Sequence, residues 1–218
     1  MAGSTRLTIG SGLSNRRNRM LKTVAEWPAA LGLVLLAAPL LLAIALLVRR
    51  DGGPALFIQT REGRHGQPIR VFKFRSMRVD ACNPNARSSL DASGSRVTRI
   101  GAMLRRTGLD EIPQLFNVLN GTMSLIGPRP HVFGMQVGTE LYSDLVPAYR
   151  NRLDVKPGIT GLAQVRGWCG AVETTQHAVC RVASDCEYIT HWSLWLDLRI
   201  ACKTFAILIG HLTRQSAA

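Results

Sequence analysis

AALGLVLLAAPLLLAIALLV, residues 29–48, is a run of twenty residues without a charged side chain. A helix rises about 1.5 Å per residue, so a run of this length matches the ~30 Å hydrocarbon core of a bilayer. Arg49, Arg50 and Asp51 follow it, where a secretory signal would have small residues at a cleavage site. The run therefore predicts a membrane-embedded helix rather than a removable signal.

The flanks of this run and a proline within it bear on how the helix sits in the membrane. Basic residues precede it at positions 16, 17, 19 and 22 and follow it at positions 49 and 50. Cytoplasmic flanks are the basic ones, and Pro39 removes an N–H donor in the middle of the run. Two forms are consistent with these features: a re-entrant helix that enters and leaves by one face, and a spanning helix with a proline kink.

Composition narrows the choice of partner without deciding it. The 218 residues include 27 basic and 14 acidic ones, which gives a net charge of +13. Such a chain attracts a polyanion, whether nucleic acid, anionic lipid or a phosphorylated substrate. The five cysteines are odd in number and form no CxxC pair, so they are interpreted as free thiols in a reducing compartment.

The remaining pattern predicts one compact domain of the α/β class, mixed and mostly helical. A basic leader covers residues 1–22, the membrane helix covers 23–50, and the domain covers 51–212. We expect a strand within residues 64–77, a mobile loop over 83–95, and helices over 97–107, 112–120, 135–155 and 183–211. Trp192 and Trp195 fall near one face of the last helix, which favours an amphipathic helix at the membrane interface over a core helix.

GLDEIPQLFNVLNG, residues 108–121, sets two carboxylates at the start of a predicted helix. Proline favours a first turn, and helix N-termini favour negative charge. Nearby arginines should keep both Asp110 and Glu111 ionised, which disfavours a general acid. An ionised carboxylate can serve as a nucleophile or as a Mg²⁺ ligand in phosphoryl chemistry. The alternative is that both acids cap the helix and pair with Arg105 and Arg106.

Two further basic motifs favour phosphoryl chemistry. In GPRP, residues 127–130, Arg129 lies between two prolines that restrict the local backbone and aim the guanidinium. In KFRSM, residues 73–77, Lys73 and Arg75 are two residues apart and hence on one face of a strand. A solvated basic edge would look the same in KFRSM alone.

These motifs together resemble a known family. KFRSM, the run from Thr98 to Pro130, KPGITGLAQVRG (156–167) and YITHWSLWLDLRI (188–200) are similar to the monotopic phosphoglycosyl transferases, bacterial sugar transferases that load a polyprenyl phosphate. The likeness runs from about residue 21 to residue 210 in one order.

The resemblance implies roles for individual residues. Asp110 is expected to be the nucleophile, and Glu111 to help hold Mg²⁺. Arg105, Arg129, Lys73, Arg75 and Arg166 are expected to bind substrate phosphates, the last of them within KPGITGLAQVRG. The family's re-entrant helix is broken at a proline, which Pro39 matches, although Ala38 stands where the family often has serine.

The resemblance also implies a reaction and a location. Sugar-1-phosphate would pass from a UDP-sugar to undecaprenyl phosphate through a phosphosugar-aspartate intermediate, at the cytoplasmic face of the bacterial inner membrane. Membrane lipid would be a partner and nucleic acid would not, and a homodimer stays open. PRPH (128–131) and Glu173-Thr174 resemble the glucose-1-phosphate branch of exopolysaccharide initiation.

One loop departs from that branch, which usually reads G-W-R-G-E-T. Here Trp168 is followed by Cys169, Gly170, Ala171 and Val172 before Glu173. A galactose, GalNAc or bacillosamine donor, or a catalytically impaired basic membrane-binding relative, therefore remains an alternative.

Overall fold

The computed structural model describes residues 12–50, 52–79, 97–172 and 174–216. Its α-helices are α1 (Arg16–Arg49), α2 (Arg99–Thr107), α3 (Leu115–Leu119), α4 (Tyr142–Leu145), α5 (Leu162–Val165), α6 (Thr175–Thr190) and α7 (Leu194–Ser216). Its strands are β1 (Leu56–Glu62), β2 (Pro68–Phe74), β3 (Ser124–Ile126), β4 (Gln136–Val137), β5 (Glu140–Leu141) and β6 (Gly158–Thr160). Short 3₁₀ helices cover Arg64–Gly66, Leu109–Gln114 and Pro147–Asp154. The predicted mixed, mostly helical α/β class is confirmed, while the predicted loop over 83–95 and residues 1–11 of the leader lie outside the described residues.

The apolar run forms the central part of α1, a single helix of 34 residues that contains both Pro28 and Pro39. The predicted break at Pro39 therefore does not interrupt the helix, because a proline removes one N–H donor while the turns on either side keep their hydrogen bonds. Leu36, in the middle of the run, is 80% exposed. By length and composition α1 can cross a membrane, and it is the one such helix in the described part of the chain.

Both ends of α1 pack on the rest of the protein. Near its first half, Ala30 is buried in a cluster with Val71 and Val118. Near its last turns, Ile44 and Val48 are buried with Phe74 and Leu104. The leucines between these anchors, such as Leu35 and Leu36, face outward.

A hairpin supports the candidate site. β1 and β2 pair in antiparallel fashion, with Leu56 opposite Phe74 and Glu62 opposite Pro68, which confirms the strand predicted within residues 64–77. The buried Asn117 side chain donates to the Arg70 carbonyl at 2.7 Å and accepts from the Phe72 N–H at 3.0 Å. The Asn117 amide thus forms the hydrogen bonds that a neighbouring strand would form with β2, and it connects α3 to β2.

A second pairing holds the GPRP loop. β3 and β6 run parallel, with Ser124 opposite Gly158 and Ile126 opposite Thr160. A Cβ at Gly158 would lie 2.1 Å from the Gly127 nitrogen, so only glycine permits this approach of the two backbones. The loop that carries Arg129 is thus fixed from its first residue.

The helix predicted over residues 135–155 is wrong. The structure has β4 and β5 around Gly138, which has a φ of 62°, then α4, and then the 3₁₀ helix Pro147–Asp154. A glycine in the left-handed region and a proline that cannot donate within a helix divide this stretch into short elements.

The long helix predicted over residues 183–211 is two helices, α6 and α7, separated at residues 191–193. Trp192 and Trp195 do not lie on one face as predicted, because Trp192 is buried and Trp195 is 67% exposed. Trp192 donates through Nε1 to Asp197 at 2.9 Å, and Asp197 is itself buried against Lys22 and Tyr188. Trp192 is therefore a core residue, since its N–H has a buried acceptor.

The face of α7 that points outward is nevertheless apolar. Leu194, Trp195, Leu198 and Phe205 are all more than half exposed. Ile200 lies on the opposite side, in the core with Tyr188 and Ile189. The amphipathic character predicted for this segment is confirmed, with a different set of outward residues.

Candidate active site

Asp110 and Glu111 lie in the first turn of the 3₁₀ helix Leu109–Gln114, which we call the dyad turn. α2 ends at Gly108, whose φ of 71° turns the chain into the dyad turn. The predicted α-helix from Glu111 or Ile112 is thus a 3₁₀ helix from Leu109 followed by α3 from Leu115. A 3₁₀ helix has about three residues per turn, so adjacent side chains point about 120° apart and the two acids face different surroundings.

Glu111 is enclosed by cations. Its Oε1 accepts a hydrogen bond from Lys73 Nζ at 2.7 Å. Arg129 donates to both carboxylate oxygens, with NH1 at 2.9 Å from Oε2. Arg129 and Lys73 together hold the pKa of Glu111 well below its usual range, although burial opposes them. A lowered pKa agrees with the prediction that Glu111 stays ionised.

The surroundings of Asp110 are different. It is buried to 8% exposure, and no hydrogen bond or ion pair engages its carboxylate within the described part of the chain. Burial and the neighbouring charge of Glu111 raise its pKa, while Lys73, Arg105 and Arg129 lower it. The shift is opposite to the one expected from the arginines, because desolvation of the charged form is the larger effect.

The capping alternative does not fit this geometry. Neither the dyad turn nor α3 has a side-chain capping hydrogen bond, and Glu111 pairs with Lys73 and Arg129 rather than with Arg105 or Arg106. Arg105 instead donates through Nε to Ser76 Oγ at 2.7 Å. Its charge still lowers the pKa of Asp110, so the two groups are neighbours.

The backbone carbonyl of Arg129 is fixed by a second, buried arginine. Its carbonyl accepts a hydrogen bond from Arg152 NH2 at 2.5 Å, and Arg152 Nε donates to Asp185 at 2.9 Å. The Arg152–Asp185 pair is almost fully buried. The structure thus brings together Lys73, Arg105, Asp110, Glu111 and Arg129, as predicted.

Two predicted phosphate-binding residues are elsewhere. Arg75 is buried, and its guanidinium donates to the carbonyls of Val48, Pro54 and Gly52, so it joins the end of α1 to β2. Residue 75 lies beyond the strand, where its side chain turns toward carbonyls at the end of α1 and in the following loop, so its phosphate-binding role stays a prediction. Arg166 forms a two-bond pair with Glu187 on the surface, at 2.6 Å for each bond, and does not join the dyad group.

Two residues near the site were not predicted. Arg61 donates to Gln59 and to the Pro130 carbonyl, and burial together with the Arg129 charge lowers its pKa to about 10. Arg152 reaches Arg129 as described above. No local pattern marks either residue, since Arg152 meets Asp185 at a sequence separation of 33.

The dyad fits a magnesium ion that is shared with a substrate. Mg²⁺ is commonly held by one or two carboxylates together with substrate phosphates. A carboxylate has about four acceptor positions, and Glu111 uses three of them for Lys73 and Arg129, which leaves one on Oε2. No cluster of three or more potential ligands occurs among the residues that the structure describes. Such an ion would therefore depend on substrate oxygens for most of its ligands.

The chain resembles known proteins along most of its length. The model of the family described as bacterial sugar transferase matches residues 17–211. The exopolysaccharide production protein PSS of Rhizobium leguminosarum bv. phaseoli is 45% identical over 196 residues, which are 89% of this chain and 96% of that protein. The UDP-glucose:undecaprenyl-phosphate glucose-1-phosphate transferase of Escherichia coli (strain K12) is 45% identical over 86% of this chain and 40% of its own. The undecaprenyl-phosphate galactose phosphotransferase of Salmonella typhimurium is 38% identical over 93% of this chain and 43% of its own.

Proposed function

The chain belongs to the bacterial sugar transferase family, and from that premise we propose that it transfers sugar-1-phosphate, with glucose as the sugar, from a UDP-sugar to undecaprenyl phosphate. It is an enzyme of the transferase class. The reaction would initiate the synthesis of an exopolysaccharide or another glycoconjugate. The observation that carries the proposal is the unpaired Asp110 carboxylate beside Lys73, Arg105 and Arg129.

The proposed reaction has two displacements at one phosphorus atom. An Asp110 oxygen attacks the phosphorus that bears the sugar, the bond to the bridging oxygen breaks, and UMP leaves with that electron pair. An oxygen of undecaprenyl phosphate then attacks the same phosphorus and breaks the acyl-phosphate bond. The products are undecaprenyl diphosphate sugar and the restored Asp110 carboxylate.

The surroundings of Asp110 suit a nucleophile. A carboxylate without hydrogen-bond donors is poorly solvated, which leaves its lone pairs available. Lys73, Arg105 and Arg129 place positive charge where phosphate oxygens would lie, and Arg129 supplies a planar fork. Glu111 holds Lys73 and Arg129 in position. A magnesium ion bound by Glu111 and substrate phosphates would add positive charge to the diphosphate.

The choice of UDP-glucose as the donor rests on sequence identity to named relatives and on the loop that contains Cys169. Relatives named for glucose are 43–45% identical to this chain, and relatives named for galactose are 36–38% identical. Glu111, Asp110 and Cys169 all raise the pKa of Arg129, so the Cys169 loop lies within electrostatic range of the arginine that we propose to bind phosphate. Arg181 holds that loop through the carbonyls of Trp168 and Gly170. A galactose donor is the second candidate, because the loop departs from the glucose pattern.

The membrane arrangement is also part of the proposal. We infer that α1 is re-entrant, with both ends on the cytoplasmic side of a bacterial inner membrane. The packing of both ends of α1 on one body, with exposed leucines between them, supports this form. The outward face of α7, with Trp195 and Phe205, would lie in the interface on the same side.

The test is UMP release from detergent-solubilised protein with Mg²⁺, undecaprenyl phosphate and a panel of UDP-sugars. Wild-type protein should release UMP most rapidly with UDP-glucose. Asp110→Asn should reduce release to background, because an amide is not a nucleophile at phosphorus. Asp144→Asn is the matched control, since Asp144 is an exposed acid outside the dyad group, and it should keep wild-type rates.

Two results would count against the proposal. Undiminished UMP release by Asp110→Asn would show that Asp110 is not the nucleophile. If none of the UDP-sugars in the panel led to UMP release, the proposed reaction would be wrong. A preference for UDP-galactose would change the donor and leave the mechanism in place.

A further inference from the structure

A cavity of about 430 Å³ lies at the beginning of α1 and shares no lining residue with the dyad group. Its walls come from the first turns of α1, the 3₁₀ helix Arg64–Gly66, β3 and the segment before β6. Five basic residues and no acidic residue are among those that line it: Arg16, Arg19, Lys22, Arg64 and Lys156. We call it the basic cavity.

Most of this positive charge is not neutralised within the protein. Lys22 is paired with Glu26 and Asp197, each at 2.7 Å, and forms part of the buried wall. In the described part of the chain, the other four cations form no ion pair with a carboxylate. Burial is the main cause that lowers the pKa values of Arg64 and Lys156; repulsion between Arg19 and Arg64 and between Arg64 and Lys156 adds to it, while the charges of Asp154 and Glu26 act in the opposite direction. Because four of the five cations form no ion pair among the described residues, the cavity is a site of positive potential.

Backbone contacts preorganise part of this cluster. Arg19 NH1 donates to the carbonyls of Leu13 at 2.8 Å and Ser14 at 2.6 Å. Arg64 Nε donates to the Asp154 carbonyl at 3.0 Å, which leaves the remainder of its guanidinium available. Neutral carbonyls position these side chains without cancelling their charge. The positive end of α1, which begins at Arg16, adds to the same potential.

The other wall of the basic cavity is apolar and continues outward along α1. Leu13, Met20, Val24 and Val155 contribute it. Met20 is 59% exposed and Val24 is 70% exposed, and both precede the membrane run of the same helix. A ligand here would meet cations at one end and an apolar surface leading to the bilayer at the other.

We propose that the basic cavity binds the phosphate headgroup of an anionic phospholipid, with the acyl chains following Met20 and Val24 toward the membrane. The volume is within the range of small-ligand pockets and suits a headgroup rather than a whole lipid. A soluble anion would use the cations and gain nothing from the apolar wall, whereas a phospholipid uses both. The site is separate from the proposed transfer reaction and does not depend on it.

The test measures binding of short-chain phosphatidylglycerol to the detergent-solubilised protein by native mass spectrometry. The variant Arg64→Gln with Lys156→Gln should bind it about 30-fold more weakly, from a factor of roughly five to six for each cation near an anionic lipid. Arg150→Gln with Arg199→Gln removes the same charge from exposed positions outside the cavity and should leave binding nearly unchanged. The charge-conserving variant Arg64→Lys with Lys156→Arg should keep most of the affinity and shows that the cavity still folds.

Further arms identify the source of the phosphate. Phosphatidylcholine and inorganic phosphate should bind much more weakly than phosphatidylglycerol, and equal binding of inorganic phosphate would overturn the assignment to a lipid. If both glutamine variants lost the same amount of affinity for phosphatidylglycerol, binding would be due to diffuse surface charge, and the proposed site would be wrong. If only undecaprenyl phosphate bound in a cavity-dependent way, the cavity would be a substrate site and the proposal would be wrong. Because no arm requires turnover, a failure of the proposed reaction would not affect the result.

Discussion

Asp110 and Glu111 are neighbours in sequence with opposite electrostatic surroundings. Glu111 has Lys73 and Arg129 against its oxygens, and Asp110 has no partner within the described part of the chain. The result is one carboxylate with a lowered pKa and one with a raised pKa. Such a divergence is typical of paired acids with separate roles.

The rate of UMP release should depend on pH through Asp110 and Lys73. Asp110 must be ionised to attack, so the rate should fall as pH falls through its raised pKa. Lys73 must be protonated to hold Glu111 and a phosphate, and burial lowers its pKa, so the rate should fall again at alkaline pH. In Lys73→Arg the alkaline decline should move to higher pH, because a guanidinium keeps its proton up to about pH 12.

The comparison is made on kcat/KM profiles of the two proteins with the same donor. An alkaline decline at the same pH in both proteins would assign it to the substrates or to another group.

α1 and β2 are joined by Arg75, whose guanidinium donates to carbonyls of the α1 end and of the following loop. These carbonyls lie where the helix has no further N–H groups to offer, and a buried carbonyl without a donor is costly. Arg75 is thus a structural residue beside the site.

Arg75→Ala should destabilise the protein by about 2–4 kcal/mol, because several buried carbonyls lose a charged donor. Thermal unfolding in detergent measures this, and the KM for the UDP-sugar should change little in the protein that remains folded. A raised KM with an unchanged unfolding temperature would instead support the phosphate-binding role predicted from KFRSM.

The 3₁₀ helix Pro147–Asp154, α6 and the GPRP loop are joined by Arg152 and Asp185. The pair is nearly inaccessible to solvent, and Arg152 also donates to the Arg129 carbonyl. The ion pair between Arg152 and Asp185 contributes to stability, and the hydrogen bond from Arg152 to the Arg129 carbonyl positions Arg129, so the two effects can be measured separately.

Asp185→Asn should lower the free energy of unfolding by about 3–5 kcal/mol, because it leaves the buried Arg152 guanidinium without its counter-charge. Arg152→Met combined with Asp185→Leu should recover much of that stability, since no buried charge remains. The double variant should still transfer sugar-1-phosphate slowly, because the Arg129 carbonyl has lost its donor. Chemical denaturation and UMP release, measured on the same preparations, separate the two effects, and full activity in the double variant would contradict the positioning role.

The whole molecule combines a net charge of +13 with the exposed apolar helix α1. The two ends of α1 pack on the same body as the dyad turn, so in the proposed arrangement Asp110 and Glu111 would lie close to the membrane surface. Positive charge near an anionic membrane surface adds to the attachment.

Cysteines placed at Ser14 and Arg50, in a background without the five native cysteines, test how α1 sits in the membrane. Because the re-entrant form keeps both ends on one side, an impermeant thiol reagent should label both positions in inverted vesicles and neither in intact spheroplasts. Labelling of one position from each side would show a spanning helix. Asp144→Cys serves as the control for the side on which the domain lies.

Much of the secondary structure and most of the dyad group could be predicted from the sequence. The membrane helix, the strand β2, α2 and the location of Asp110 and Glu111 follow from signals carried by about ten to twenty consecutive residues. The helix predicted over residues 135–155 is wrong because Gly138 and Pro147 divide that stretch into short elements. The break at residues 191–193 has no local signal, since no proline or glycine marks it.

The sequence alone determined that the chain is basic, contains an apolar run long enough to cross a membrane and places two acids together near arginines, since composition and spacing are local properties. Only the tertiary structure decided which cations pair with which acids. Lys22 meets Asp197 across 175 residues, Lys73 meets Glu111 across 38, and Arg75 and Arg166 have other partners. The reason is physical: a charge pairs with whatever the fold brings within a few ångströms, and burial decides whether its pKa rises or falls.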